Sequence, residues 1–205
     1  MERIMIFQDI YEVDFSDRQA HEKTDELFIK RWSPRSYKKA EIPREIIETI
    51  IDAARWSPSA FNEQPWVFIT SSTETEFNQF YNLLNDRNKK WAENASILGF
   101  IVAKRNHARN DTPNRFYYFD SGAAWMAMTL QARMLGLYTH GMGGILREKI
   151  YSSLQIPEET HEVVCGFSIG VLERPDQLQE EFRSEEKPSP RKSLSEIWME
   201  GSFKQ

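Results

Sequence analysis

Residues 121–135 read SGAAWMAMTLQARML, so small and apolar side chains surround most of any helix that they form. A helix lying on a protein surface keeps a polar stripe toward water, and one without such a stripe needs cover on every side. The sequence therefore predicts a long helix over 121–135, placed near the centre of the fold and closed by Gly136 as a C-terminal stop. Whatever else the chain builds must wrap this helix.

The rest of the chain offers that wrapping. The polar segment Asp17–Ile29, with Leu27, Phe28 and Ile29 at its end, predicts a helix with one modest apolar edge. Pro43 opens a clearer helix, a favoured place for proline, and Ile46, Ile47, Ile50, Ile51 and Ala54 follow at helical spacing. Val67–Thr70 predicts a short strand, Glu74–Leu84 a helix, and the continuous apolar run Leu98–Ala103 a buried strand. Ile145–Leu154 predicts a helix and Val163–Leu172 a central strand; residues 173–187 are charged and read as a solvated excursion, and Ser193–Met199 as a short helix. Tyr117, Tyr118 and Phe119, just before the long helix, read as core packing, with pocket lining as the alternative. Helices and strands mix without strict alternation, which favours an α+β class over a doubly wound sheet.

Composition narrows the function. The chain has 205 residues, 40% hydrophobic and 28% charged, which suits one globular domain rather than disorder. A net charge of -5 argues against nucleic acid or an anionic membrane as partner, so any anionic ligand needs a local cationic site. The single cysteine, Cys165, forbids an intramolecular disulfide and fits a reducing compartment. Residues 1–10 do not read as a secretory signal, and the longest strongly apolar run, 97–103, is too short to span a bilayer. The expected location is cytoplasmic. His21, His107, His140 and His161 are scattered without metal-ligand spacing, and no P-loop or Rossmann fingerprint occurs.

Four segments could carry chemistry. In Arg31-Trp32-Ser33-Pro34-Arg35-Ser36, Pro34 keeps Ser33 out of the helical region, and an extended course puts Arg31, Ser33 and Arg35 on one face. Two permanent cations and a hydroxyl on one side match a phosphate group, though two surface arginines flanking a turn would read the same. In Pro58-Ser59-Ala60-Phe61-Asn62-Glu63-Gln64-Pro65-Trp66, Pro65 is expected to hold Gln64 extended, so that Asn62 and Gln64 point the same way. Their amides suit the mixed donor and acceptor edge of a flavin pyrimidine, and a capped loop is the alternative. Gly141-Met142-Gly143-Gly144 precedes a helix start, where close backbone approach and free N–H groups could serve flavin N5 or O4; a plain helix-entry turn is the alternative. Pro190-Arg191-Lys192 could add a third cation to a phosphate site. A fifth segment is a decoy: Gly166-Phe167-Ser168-Ile169-Gly170 matches the serine-hydrolase elbow pattern, but apolar Val171 and Leu172 continue the run where a sharp strand-to-helix turn is required.

In this order the four segments resemble the nitroreductase family of FMN enzymes, from about Arg31 to the C-terminal region. Arg31-x-Ser33-x-Arg35 looks like the family's opening motif. Pro58-Ser59-Ala60-x-Asn62-x-Gln64-Pro65-Trp66 resembles its most specific signature, and Gly122 through Gly136-Leu137 resembles its central helix. Gly141–Gly144 resembles its flavin-facing turn, and Arg191 its late phosphate arginine.

The resemblance implies a homodimeric three-layer α+β sandwich, a central mixed β-sheet flanked by helices, with two FMN sites at the subunit interface. Arg31, Ser33, Arg35 and Arg191 would come from one subunit, and Pro58, Ser59, Ala60 and Asn62 from the other. Trp32 stands where many members carry a second basic residue, which leaves it backbone contacts, and Ser189 stands where many carry a lysine, with Lys192 as a possible substitute. Gln64, Met142, Gly143 and Gly144 complete the implied FMN contacts. The domain would cover 26–205, including an excursion over 173–190 and a C-terminal arm over 191–205, after an extension over 1–25 without assigned role. The implied activity is ping-pong electron transfer from NADH or NADPH through FMN to a small acceptor such as a nitroaromatic or quinone. Dehalogenation, azoline oxidation, flavin fragmentation and non-catalytic flavin binding remain open alternatives.

Overall fold

The computed structural model describes residues 6–203; the start of the N-terminal extension and the last two residues of the C-terminal arm lie outside the described residues. The central element of the sheet is β5, His161–Leu172. On one side it pairs with β3, Ile97–Lys104, and beyond that lies β2, Trp66–Thr70. On its other side β4, Tyr138–Met142, pairs with residues 166–170, and β1, Tyr37–Lys38, pairs with Leu172 and Val171.

Helices cover both faces. The register of β3 sends Leu98, Phe100 and Val102 into one core and Ile97 and Ile101 into the other, as alternation along a strand requires. The second core is closed by α2, Arg44–Arg55, through Ile46, Ile50 and Ala54, and by α5, Tyr117–Met134, through Ala124, Met128 and Ala132. The first is closed by α3, Glu74–Asn82, α4, Asp86–Ala92, and α6, Arg147–Ser153, through Phe77, Phe80, Trp91 and Ile150. The result is the three-layer α+β sandwich. One detail differs: every strand pairing among the described residues is antiparallel, so the sheet is not mixed. The links α3–α4 between β2 and β3, and α6 between β4 and β5, each return the chain to the end of the sheet they left, which makes the joined strands antiparallel.

The long helix starts at Tyr117, earlier than its apolar run. Its inner residues Ala124, Met128 and Ala132 are fully buried, while Met126 and Leu130 on the outer side are only partly covered. Gly136, at φ 87°, takes the left-handed conformation that ends the helix, and its Cα lies against the Phe7 carbonyl where no side chain fits. Tyr118 and Phe119 are 47% and 78% exposed, which overturns core packing for them. They precede buried Asp120 by two and one residues, so they stand roughly 200° and 100° around the helix from the buried face.

Two other expectations fail for the same kind of reason. Within 17–29 only α1, Glu26–Lys30, is helical, capped by Asp25, whose carboxylate accepts from Leu27 N at 2.9 Å. The segment lacks a helical apolar stripe, and the chain before it instead runs over the core as an arm. Phe7 N donates to Leu135 O at 3.0 Å, the Asp9 carboxylate accepts from Arg133 at 2.7 Å and from Tyr138 at 2.8 Å, and Tyr11, Val13 and Phe15 pack on the first core. The stretch after β5 is not a solvated excursion either. It contains α7, Glu180–Arg183, and buries Leu178, Phe182 and Glu186. Short charged segments can anchor through one or two apolar residues that leave no periodic signal. The chain ends in α8, Leu194–Ile197, with Leu194, Ile197 and Trp198 exposed. Among the described residues no helix is long and apolar enough to cross a membrane.

Candidate active site

The segment between α1 and β1 carries the opening motif. Arg31 leaves the helix in extended geometry, φ -75° and ψ 122°, and the chain turns over buried Pro34 into β1. Four elements fix its course. Glu186 Oε1 accepts from Arg35 N at 2.7 Å and from Ser36 N at 2.8 Å. Ser36 Oγ donates to Arg174 O at 2.7 Å. His140 Nδ1, from β4, lies 3.0 Å from Pro34 O, with the ring 4.6 Å from that of Trp91. Burial pushes the His140 pKa down to about 4, so the ring is neutral and holds the loop by hydrogen bonding. Trp32 is buried edge-on to Tyr138, at 6.2 Å between rings.

So held, Arg31, Trp32, Ser33 and Arg35 line a cleft of about 270 Å³ that Arg191 also lines. Arg18 and Lys187 bring further cations to the same cleft, with Glu185 as its acidic member. Arg35 Nη2 lies 3.3 Å from Glu185 Oε2, and Arg31 Nη1 donates to Ser33 Oγ at 3.3 Å. Arg31 and Arg18 are held below the ordinary guanidinium range, first by burial and then by facing Arg191; Arg18 comes down to about 10. Like charges gathered in one partly buried cleft repel one another, and an anion of matching geometry relieves that cost. A terminal phosphate is such an anion.

The second segment does not meet the first within the chain, since none of residues 58–64 lines this cleft. The loop is left-handed at Phe61, Asn62 and Gln64, with φ 54°, 57° and 46°, so Gln64 is not extended and does not parallel Asn62. Proline biases the residue before it toward extended backbone, and here the local hydrogen bonds of Gln64 override that bias. Gln64 N donates to Ser59 Oγ at 3.0 Å and Gln64 Nε2 to Asn62 O at 2.9 Å. Ala60 N donates to Asp120 Oδ2 at 3.2 Å. Glu63 anchors the loop to the next one: it accepts from Ala108 N at 2.8 Å and lies 3.3 Å from His107 Nδ1. The Ala108 bond, ahead of the His107 contact, holds the Glu63 carboxyl below its usual range. Three left-handed non-glycine residues in one loop are a concentration of strain of the kind found at binding sites.

The third segment is split by the end of β4. Gly141 and Met142 belong to the strand, and the Met142 side chain is buried in the first core, which leaves its backbone alone available. Gly143 has nothing within 4 Å of where a Cβ would stand. Among the described residues the N–H groups of Gly143 and Gly144 donate to no acceptor, while Gly144 O accepts from Asn85 N and Asn88 Nδ2 at 3.0 Å each. Ser168 lies mid-strand, fully buried, with its hydroxyl donating to Tyr37 at 3.1 Å, so no nucleophile elbow exists there. The sequence reasoning missed Arg18, Lys187 and Glu186. Their only sequence signal is charge, and nothing in spacing ties positions 18 and 186 to position 31.

An antiparallel sheet sandwiched by helices, with a cationic cleft at one end, defines an α+β protein built to take an anionic ligand. Known proteins with this plan match the chain. The nitroreductase family model matches residues 29–94 and 71–171, and the chain belongs to that family. A protein of Archaeoglobus fulgidus, provisionally named an NADH dehydrogenase/NAD(P)H nitroreductase, is 28% identical over 183 residues, covering 84% of this chain and 97% of that protein. A solved structure described as an oxidoreductase containing FMN superposes with a TM-score of 0.86 at 38% identity, covering 91% of this chain and 96% of that one. An FMN-dependent nitroreductase of Clostridium difficile superposes at 0.60 with 25% identity over 70% of this chain and 84% of that one.

Proposed function

We propose that this chain is an FMN-dependent oxidoreductase that takes electrons from NADH or NADPH and delivers them to a small acceptor such as a nitroaromatic or quinone, by a ping-pong scheme. The observation that carries the reading is the cleft where Arg31, Arg35 and Arg191 face one another beside Ser33. The family membership and the FMN named for similar solved structures support the same ligand. FMN held there would supply the redox chemistry, two-electron exchange between the nicotinamide and the acceptor.

The chain's own groups bind and orient. Arg31, Arg35, Arg191 and the Ser33 hydroxyl hold the phosphate, and Trp32 contributes its backbone. Glu186 and His140 keep the motif in place by gripping Arg35 N, Ser36 N and Pro34 O. The unpaired amides of Gly143 and Gly144, with the backbone of Met142, would serve the flavin ring; open space at Gly143 permits close approach, while the missing Cβ of Gly144 makes room for the Asn85 side chain. Pro58, Ser59, Ala60, Asn62 and Gln64 act from a second copy of the chain across a homodimer interface. Two observations favour that placement: the loop does not line its own chain's cleft, and Phe61 at its tip is 70% exposed. Residues 26–205 carry the motif segments of this site, and the arm before them packs on the same core.

The test is the visible spectrum of the purified protein. Flavin absorption that bleaches with NADH or NADPH is expected, and Arg31→Ala should purify with less flavin. A colourless preparation that stays colourless with excess FMN overturns the reading, and full flavin content in Arg31→Ala overturns the role of Arg31.

A further inference from the structure

The N-terminal arm places a permanent cation in the cleft. Arg18 lies in the segment before α1 and reaches three carbonyls. Its Nη1 donates to Ile29 O and, at 2.8 Å, to Arg31 O, and its Nε donates to Ser189 O at 3.1 Å. Those carbonyls belong to the end of α1, the first residue of the motif, and the segment that carries Arg191. Three of the five guanidinium N–H groups therefore clasp the cleft's walls together. The remaining two, on Nη2, make no hydrogen bond among the described residues, and the side chain lines the cleft. A guanidinium held by carbonyls at Nε and Nη1 has its plane fixed, and its two Nη2 hydrogens stay free to donate singly to an oxyanion.

We propose that Arg18 is a phosphate-binding residue of the FMN site, held in place by the carbonyls of Ile29, Arg31 and Ser189 and offering Nη2 to the phosphate. This rests on the FMN reading above. It gives the N-terminal extension a function: it adds a cation to a cleft that the motif and the C-terminal arm also line. The lowering of the Arg18 pKa to about 10, through burial and then the neighbouring Arg191 and Arg31, agrees with a cation placed where an anion is wanted.

Riboflavin and FMN differ by the phosphate alone, so comparing them separates a group that acts at the phosphate from one that only supports the fold. Full-length protein stripped of flavin is titrated with each, following quenching of flavin fluorescence, for wild type, Arg18→Ala and Arg18→Lys. For Arg18→Ala we expect the FMN Kd to rise about 10- to 100-fold, the effect of one lost charge-assisted contact, with the riboflavin Kd within about twofold of wild type. Arg18→Lys keeps the charge without the fork and should fall between; if Arg18→Ala does not fold, Arg18→Lys decides by the same ratio. An equal rise for both ligands makes Arg18 purely structural, and no change for FMN removes it from the site; either result overturns the proposal. A wild type that binds FMN no more tightly than riboflavin instead overturns the phosphate site itself, and the proposal with it.

Discussion

Removing the Glu186 carboxylate should loosen the whole motif, and the size of the effect follows from its geometry. Among the described residues Oε1 is the sole acceptor for two backbone donors, Arg35 N and Ser36 N, at 2.7 and 2.8 Å, and Ser36 is 1% exposed. Glu186→Ala leaves both N–H groups without a partner at a cost of roughly 1–3 kcal/mol each, partly offset because a buried carboxylate no longer needs desolvating. A net loss of about 3 kcal/mol lowers Tm by about 6–12 °C at this chain length. Glu186→Gln keeps an oxygen for both donors and removes only the charge, so it should cost about 1 kcal/mol or less. The carboxyl pKa is raised, first by burial, against the opposing bonds from Ser36 and Arg35. The sign follows: a carboxyl that binds its proton more tightly when folded contributes stability that is fully present below its unfolded pKa and is lost as pH rises through the raised folded value. Wild type minus Glu186→Gln stability should therefore fall as pH climbs through the weakly acidic range. Thermal melts of both variants between pH 4 and 8 check all of this. Equal Tm losses in the two variants would refute the claim that Oε1 holds the backbone, and a flat difference curve would refute the raised pKa.

Two further outcomes test the core. In Gly99→Ala the new Cβ would stand 2.3 Å from Phe167 Cζ and 2.7 Å from Ile69 O, and a backbone oxygen in a paired strand cannot swing aside, so a loss of about 2–3 kcal/mol is expected in a denaturant melt. A variant as stable as wild type would mean that β2 and β3 can part without cost. Burial pushes the Cys165 thiol up to about 11, so at pH 8 only about one molecule in a thousand carries thiolate. An aromatic disulfide reagent should react slowly with the native protein and fast in guanidinium; equal rates would show the thiol to be accessible.

How much of this was legible in the sequence depends on whether the signal was periodic. The isoleucines of α2 recur at helical spacing and define its core face, and the apolar run of β3 announced a strand buried on both sides. The strand β4 carries Thr139, His140 and Gly141 and no alternation strong enough to declare it, although Thr139 is buried and bonded to Thr129 at 3.0 Å. The arm over residues 7–25 and the segment around Phe182 hold by single apolar anchors and by hydrogen bonds to distant partners, which no local window contains. The left-handed conformations of Phe61, Asn62 and Gln64 were hidden too, because the bias of Pro65 toward extended backbone reaches only Gln64, where local hydrogen bonds override it.

The same distinction explains why the cleft was only half visible. Arg31, Ser33 and Arg35 sit two apart in one extended segment, so their common face can be inferred from chain geometry. Arg18, Glu186 and Arg191 reach that face from about 13 residues before Arg31 and about 155–160 after it, and only the folded chain says so. Their arrangement has an energetic logic. The motif's backbone is fixed by a buried anion, Glu186, on its N–H side and by a cation, Arg18, on its carbonyl side. The peptide groups therefore stay oriented while the side-chain guanidiniums are left to face the cleft. Repulsion among those guanidiniums would spread the two arms apart, and the carbonyl bonds of Arg18 to Ile29, Arg31 and Ser189 resist it. An anion in the cleft turns that repulsion into attraction, so binding there and docking of both arms draw on one set of contacts.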